Sequence, residues 1–106
     1  MKEEIILSEQ DEMLIARIRC DVDHHTAKIM REKIDRRLYE MKPRLLVLDF
    51  SDVVFMDSSG LGLILGRSEK ASAIGTSVCV SGLSHGLMRL VKLGGLDKIK
   101  NLTVTR

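Results

Sequence analysis

The sequence predicts an α/β domain: a mixed, mostly parallel β-sheet with an antiparallel edge and about three helices. Three observations predict it. Apolar residues recur with helical spacing in three stretches, each followed by a strand-like run. Two strand-like runs precede the first helix. The segment Leu45-Leu46-Val47-Leu48 is apolar at every position. Helices alternating with strands imply parallel strands joined by right-handed crossovers. Two strands in succession imply an antiparallel edge, and a strand apolar on both sides suits the centre of a sheet covered on both faces. With only three helices available, one face is expected to be better covered than the other.

In chain order, residues 5–7 form a short apolar first strand. Residues 13–20 alternate: Leu14, Ala16, Ile18 and Cys20 fall on one side and Arg17 and Arg19 on the other, the period of a half-buried strand. From His24 to Met41 the apolar residues Ala27, Met30, Ile34, Leu38 and Met41 are spaced three or four apart, one face of a helix. Asp23 precedes it as an N-cap, its carboxylate accepting from free N–H groups of the first turn. Pro43, the single proline, separates that helix from the strand at 44–50. A second apolar stretch, 53–56, leads to Asp57. Helical spacing returns over 60–74 with Leu61, Ile64, Leu65 and Ala71 facing inward, and Gly75 ends the helix in a left-handed conformation. Residues 77–81 form a strand around Val78-Cys79-Val80. Residues 84–93 form a helix with Leu87, Leu90 and Val91 inward, closed by Gly94-Gly95. Residues 98–105 form a last strand with Leu102 and Val104 on one side.

At 106 residues the chain fits one domain, 1–106, able to bury a core without staples. Aromatic residues are only 3%, so the core is aliphatic and the stacking platforms of single-stranded nucleic-acid binders are lacking. The 17 basic and 15 acidic side chains are interspersed and give a net charge of +2, so no polycationic tail points to DNA or a membrane surface. The opening Met1-Lys2-Glu3-Glu4 is not followed by an apolar signal segment, and no apolar run approaches membrane-spanning length. Cys20 and Cys79 are far apart and outside any CxxC pattern, which fits reduced, buried thiols in a cytoplasmic protein.

The segment with chemical content is Phe55-Met56-Asp57-Ser58-Ser59-Gly60-Leu61-Gly62, followed by Leu63 and Ile64-Leu65-Gly66-Arg67. It lies where an extended segment turns into a helix. Either Ser58 or Ser59 can serve as N-cap through its hydroxyl oxygen. Gly60, Gly62 and Gly66 each cost roughly 1 kcal/mol relative to alanine in a helix. Tight packing of the helix on the sheet would offset that cost, and on this reading Gly62→Val wedges helix from sheet. The spacing G-x-G-x-x-x-G is one residue too long for a dinucleotide fingerprint. The serines follow aspartate and do not form a G-x-S-x-G nucleophile elbow. His24 and His25 are adjacent, so they point apart on a helix and read as surface or interface residues beside a cap. His85 is isolated, and no metal-ligand spacing is present. We therefore expect no enzyme activity, no metal and no cofactor. A hydroxyl at a helix mouth is instead suited to phosphorylation, which adds about −1.5 to −2 charges. The helix dipole tolerates that anion. A partner fitted to the neutral turn would not.

Two stretches resemble the STAS-domain anti-sigma factor antagonists, most closely their sporulation members: Asp23-His24-His25-Thr26-Ala27, and the Phe55-to-Gly62 motif with its continuation to Arg67. The resemblance runs from about Ile5 to Thr105. It implies a STAS fold with Ser58 as the residue phosphorylated by the anti-sigma factor, a serine kinase that carries its own ATP and magnesium. The unphosphorylated form would bind the kinase and free a sigma factor, and a serine phosphatase would restore that form. The implied binding surface comprises Asp23, His24, His25, Thr26, Asp57, Ser59, Gly60, Leu61 and Gly62. Neither nucleic acid nor membrane is implied as a direct partner. Two departures stand out. Cys20-Asp21-Val22 replaces the usual Gly-Glu approach to the capping Asp23. The family's helix after the last strand is missing before Arg106, so either that helix is dispensable here or an otherwise monomeric protein keeps an exposed sheet face that invites self-association. The alternative function is a STAS module sensing a nucleotide or small anion at the Ser58 helix N-terminus.

Overall fold

Short connections and one-sided apolar faces account for the architecture. The computed structural model describes residues 3–105. Met1, Lys2 and Arg106, the ends of the expected 1–106 domain, lie outside the described residues. The elements are β1 (Ile5–Gln10), β2 (Met13–Ile18), α1 (His24–Met41), β3 (Leu45–Asp49), α2 (Ser58–Ala73), β4 (Ser77–Ser81), α3 (His85–Leu93) and β5 (Leu102–Val104), with a 3₁₀ turn at Leu96–Lys98 before β5. They form one five-stranded sheet in the order β1-β2-β3-β4-β5. The β1–β2 pair is antiparallel and the remaining pairs are parallel.

β1 is longer than its apolar run. It continues to Gln10 because Asp11 and Glu12 adopt left-handed φ values of 48° and 65°, the two-residue turn that matches strand twist in a hairpin. β5 is shorter than expected. Gly95, at φ 75°, leads into the 3₁₀ turn, and the chain joins the sheet only at Leu102.

Each sequence-adjacent parallel strand is also its neighbour in the sheet. Right-handed crossovers that step in one direction put α1, α2 and α3 on the same face. The register lines up Leu14, Leu46 and Val78 in one row and Ala16, Leu48 and Val80 in the next. All six are buried. Met30, Ile34 and Leu38 of α1, Leu63, Ile64 and Ala71 of α2, and Leu87 and Val91 of α3 complete this core. On the opposite face the row Ile15, Val47 and Cys79 is half-buried. β3 is therefore central in the sheet but fully covered on one face only, contrary to the two-sided expectation. Cys20 and Cys79 are both half-buried, not fully buried as expected.

The buried stripe of α2 is Gly60, Leu63, Ile64, Arg67, Ser68 and Ala71. Ile64 and Ala71 face inward as expected. Leu65 is 42% exposed, and Leu63 takes its place in the core. The helix also begins two residues earlier than its apolar spacing indicates, at Ser58.

Candidate functional site

In a parallel sheet with one-sided crossovers, the helices start at the edge where the strands end. The N-termini of α1 and α2 therefore lie side by side, after β2 and β3. Backbone bonds fasten the two entry turns together. Val22 donates to the Phe55 carbonyl at 3.1 Å, and Asp57 donates to the Val22 carbonyl at 3.1 Å. The Phe55 N–H donates to Asp21 Oδ1 at 3.2 Å, so Asp21, at one of the positions departing from the family pattern, serves as a clamp between the turns.

Asp23 caps α1 as expected, through a reciprocal box. Thr26 N–H donates to Asp23 Oδ1 at 2.8 Å, and Asp23 N–H donates to Thr26 Oγ1 at 3.0 Å. The Thr26 backbone bond is the leading cause that holds the Asp23 carboxyl below its ordinary range. Thr26 Oγ1 donates in turn to the Asp21 carbonyl at 2.9 Å. His24 and His25, the first residues of α1, are exposed.

The cap of α2 is Asp57, not either serine. Its Oδ1 accepts the Ser59 N–H at 2.8 Å, and its carbonyl accepts the Gly60 N–H at 2.9 Å. The shorter hydroxyls are thus left over: Ser58 is the first helical residue and exposed, Ser59 half-buried. Neither hydroxyl has a hydrogen-bond partner among the described residues, so no histidine or carboxylate activates Ser58 as a nucleophile. What the arrangement provides is an exposed hydroxyl at a fixed turn.

The three glycines of α2 differ in role. A Cβ on Gly60 would lie 2.6 Å from Met56 Sδ and 3.0 Å from Met56 Cβ, so Gly60 is the packing glycine. A Cβ on Gly62 or Gly66 meets nothing within 4 Å. The expectation that Gly62→Val wedges helix from sheet is therefore overturned: Gly62 is exposed and borders an open cleft. Leu61 points elsewhere, its Cδ1 3.2 Å from where a Cβ on Gly94 would sit. The structure thus gathers Asp23, His24, Thr26, Asp57, Ser58, Ser59, Gly60 and Gly62 around the joined turns, with His25 exposed beside them and Leu61 turned aside.

Composition and spacing did not single out two features near these turns. Val54 and Phe55, between the β3 end and Asp57, are 85% and 56% exposed. They belong to an apolar run that reads as core, yet only its ends, Val53 and Met56, are buried. The second is a cleft of about 330 Å³ between α1 and α2, lined by His24, Lys28 and Arg31 on one side and by Ser59, Gly62, Gly66 and Arg67 on the other. Arg67 is 2% exposed and ion-pairs with Asp35 of α1, Nε to Oδ1 at 2.8 Å. Burial raises the Asp35 carboxyl above its ordinary range, with Arg67 opposing, and burial lowers the Arg67 guanidinium, with Asp35 opposing. The 60, 63/64, 67, 71 period is the signal that could have placed Arg67 on the buried stripe.

The STAS domain family matches residues 4–105. The chain belongs to the STAS family. An anti-sigma F factor antagonist from Paenibacillus polymyxa is 36% identical over 87 residues, covering 82% of this chain and 74% of the relative. An anti-sigma-B factor antagonist from Bacillus subtilis is 32% identical over 83 residues, covering 78% of this chain and 74% of the relative. Within the STAS family, then, this chain groups with the anti-sigma factor antagonists. The structure of SpoIIAA in its unphosphorylated form superposes with a TM-score of 0.81 at 24% identity, covering 96% of this chain and 88% of that one. The phosphorylated form of the Bacillus protein gives a TM-score of 0.74 at 24% identity, with 96% and 91% covered. These two likenesses speak for the fold: a mixed sheet with an antiparallel β1–β2 edge and three helices. Among the described residues, no helix is long and apolar enough to cross a membrane, and no cluster of His, Cys, Asp or Glu side chains could hold a metal ion.

Proposed function

We propose that this STAS protein is an anti-sigma factor antagonist switched by phosphorylation of Ser58. Its unphosphorylated form binds an anti-sigma serine kinase, which then releases a sigma factor. The carrying observation is the exposed, unpartnered Ser58 hydroxyl at the first position of a helix whose cap is supplied by its neighbour Asp57. The kinase brings ATP and the catalytic base. Ser58 Oγ attacks the γ-phosphorus, the bond to ADP breaks, and the hydroxyl proton passes to the kinase. The protein itself performs no catalysis, works in the cytoplasm and is reset by a serine phosphatase.

The docking surface on this reading is formed by Asp23, His24, His25 and Thr26, by Asp57, Ser59, Gly60, Leu61 and Gly62, and by exposed Val54 and Phe55. An apolar pair beside a polar switch suits an interface whose energy is concentrated in a few buried side chains. Phosphorylation places a hydrated dianion in the middle of that surface. Burying it unpaired costs several kcal/mol, and each 1.4 kcal/mol is about tenfold in affinity.

Incubation with the cognate kinase and magnesium-ATP, read by intact mass, tests the assignment. Wild type and Ser59→Ala gain one phosphate, and Ser58→Ala gains none. Ser58→Asp weakens kinase binding only partly, since one charge copies neither the second charge nor the third oxygen of phosphate. Phe55→Ala weakens it by about tenfold or more. A Ser58→Ala protein phosphorylated at the wild-type rate rules out this switch.

A further inference from the structure

The two edges of the sheet, β1 and β5, are finished differently. Sheets guard an open edge by shortening the edge strand or by placing proline, lysine or a bulge in it. β5 is shortened to three residues. β1 has six residues, contains no proline, glycine or lysine, and pairs with β2 in unbroken register from Ile5↔Ile18 to Gln10↔Met13. The Arg19 N–H donates to the Glu4 carbonyl at 2.8 Å, so Glu4 and Arg19 form a hydrogen-bonded pair. Bonded pairs alternate along an antiparallel ladder, which gives Ile6, Ser8 and Gln10 to β2 as well. The N–H and C=O groups of Ile5, Leu7 and Glu9 point the other way, to the free edge. No loop or turn backbone among the described residues takes them up.

A groove follows that edge. A space of about 270 Å³ lies between Ile5 and Leu7 of β1 and Lys33, Arg36 and Arg37 of α1, with Glu3 just before the strand. A second space of about 300 Å³ continues it past Arg37 to Glu40 and Met41. A free strand edge beside a helix is the geometry in which some domains take up an extended peptide as an added strand. The floor is aliphatic and the wall is basic. Arg37 pairs with Glu9, whereas neither Lys33 nor Arg36, both exposed, has an ion-pair partner at contact distance among the described residues. Glu3 and Glu40 stand at opposite ends of the groove. This charge selects the occupant. A second copy adding its own β1 antiparallel would be related by a two-fold axis normal to the sheet, which sets its Lys33, Arg36 and Arg37 against the same cations on the same face. A strand bearing carboxylates meets attraction there instead. Its alternate residues would lie on the other face beside Ile6, which is 37% exposed.

We propose that the groove between β1 and α1 binds an extended acidic segment of a partner protein, added to the sheet as a sixth strand. The main-chain groups of Ile5, Leu7 and Glu9 fix its register, and Lys33 and Arg36 select its charge. No residue of the groove belongs to the kinase-docking surface proposed above, so the two readings stand or fall separately.

The test is an amide chemical-shift titration of the whole protein with three synthetic peptides of equal length. One alternates valine and glutamate, one alternates valine and lysine, and one keeps the glutamates but has proline at each valine position. The valine–glutamate peptide gives saturable shifts at Ile5, Leu7 and Glu9 and slows hydrogen exchange of those three amides. The lysine peptide does not bind. The proline peptide, which keeps the charge but lacks ladder donors, binds at least about tenfold more weakly. The Lys33→Glu/Arg36→Glu double variant weakens binding of the valine–glutamate peptide by about tenfold. Leu7→Pro removes an N–H that β2 does not use, and it abolishes the slowed exchange. Should Leu7→Pro fail to fold, the charge variant decides. Absence of saturable shifts along β1, equal binding of the proline peptide, or unchanged affinity in the charge variant overturns the proposal. A concentration-dependent dimer in sedimentation that the charge variant strengthens assigns the edge to a second copy and overturns it too.

Discussion

Gly60 and Gly62 stand two residues apart in α2, and alanine at the two positions should have opposite effects on stability. At Gly60 the new methyl would lie 2.6 Å from Met56 Sδ and 3.0 Å from Met56 Cβ and Cγ. Met56 has little room to withdraw: it is 3% exposed, and its backbone bridges Val22. Overpacking of this kind costs about 1–3 kcal/mol, while exchanging glycine for alanine in a helix returns about 1 kcal/mol. Gly60→Ala is therefore a net loss of about 1 kcal/mol. At Gly62 nothing lies within 4 Å, so only the propensity term acts, and Gly62→Ala gains up to about 1 kcal/mol. The two variants should then differ by about 2 kcal/mol, which in a domain of this size separates their melting temperatures by about 10 °C. Differential scanning calorimetry with parallel urea melts measures this directly. A Gly62→Ala protein that melts below wild type, or a Gly60→Ala protein that melts above it, refutes the division into one packing glycine and one space-making glycine.

Two further outcomes follow. Arg67→Met should cost about 3 kcal/mol in urea melts at neutral pH, because it strands Asp35, and adding Asp35→Leu should recover most of the loss. Removing Arg67 removes the charge that opposes the burial-driven rise of the Asp35 carboxyl, so the folded variant binds a proton more readily than the unfolded chain. Its deficit should therefore shrink as pH falls, and a deficit constant from neutral pH into the acid range contradicts this account. At Asp23 the sign is reversed. Its carboxyl is held below the reference 3.8 by the Thr26 N–H, so its contribution is present above the ordinary aspartate range and is lost as pH falls through the lower folded-state value. Asp23→Asn, which keeps an accepting oxygen, should flatten that acid-range dependence in thermal melts, and an unchanged profile excludes Asp23 as its source.

The order of elements was legible because each has a strong local signature. The 13–20 alternation, the His24–Met41 period, Asp23 before α1 and Gly75 after α2 are each read within one or two turns of chain. What was not legible depends on partners distant in sequence. Leu65 and Leu63 are equally apolar, and only the docking of α2 against α1 and β4 decides that Leu63 is the buried one. The two-sided reading of β3 came from an apolar run that is in fact half-buried on one face. One-sided cover follows from three same-direction crossovers, a property of the whole sheet. At the site, the motif placed Ser58 correctly at the turn but left the cap between two serines. Asp57 caps instead, its short carboxylate reaching the Ser59 N–H from an extended backbone at φ −96°. The basic cleft was invisible because its cations come from two helices, Lys28 and Arg31 from α1 and Arg67 from α2, far apart in sequence amid many interspersed charges.

For the proposed Ser58 switch, that division of labour at the α2 entrance allows a strong effect without destabilising the fold. If Ser58 were itself the cap, phosphorylation would remove the acceptor that satisfies the first turn, and modification would be coupled to loss of helix. With Asp57 as cap, Ser58 carries no structural hydrogen bond. A phosphate there gains from the helix dipole, an effect of about 0.3–1 kcal/mol at exposed sites, and loses a comparable amount to the neighbouring Asp57 charge. The fold is thus close to indifferent to the modification. The clamp from Val22 and Asp21 to the 55–57 segment fixes the turn without using the Ser58 hydroxyl. Nearly the whole free-energy difference between the two forms is then left to be expressed at the surface, where a docking partner meets either a small neutral hydroxyl or a dianion.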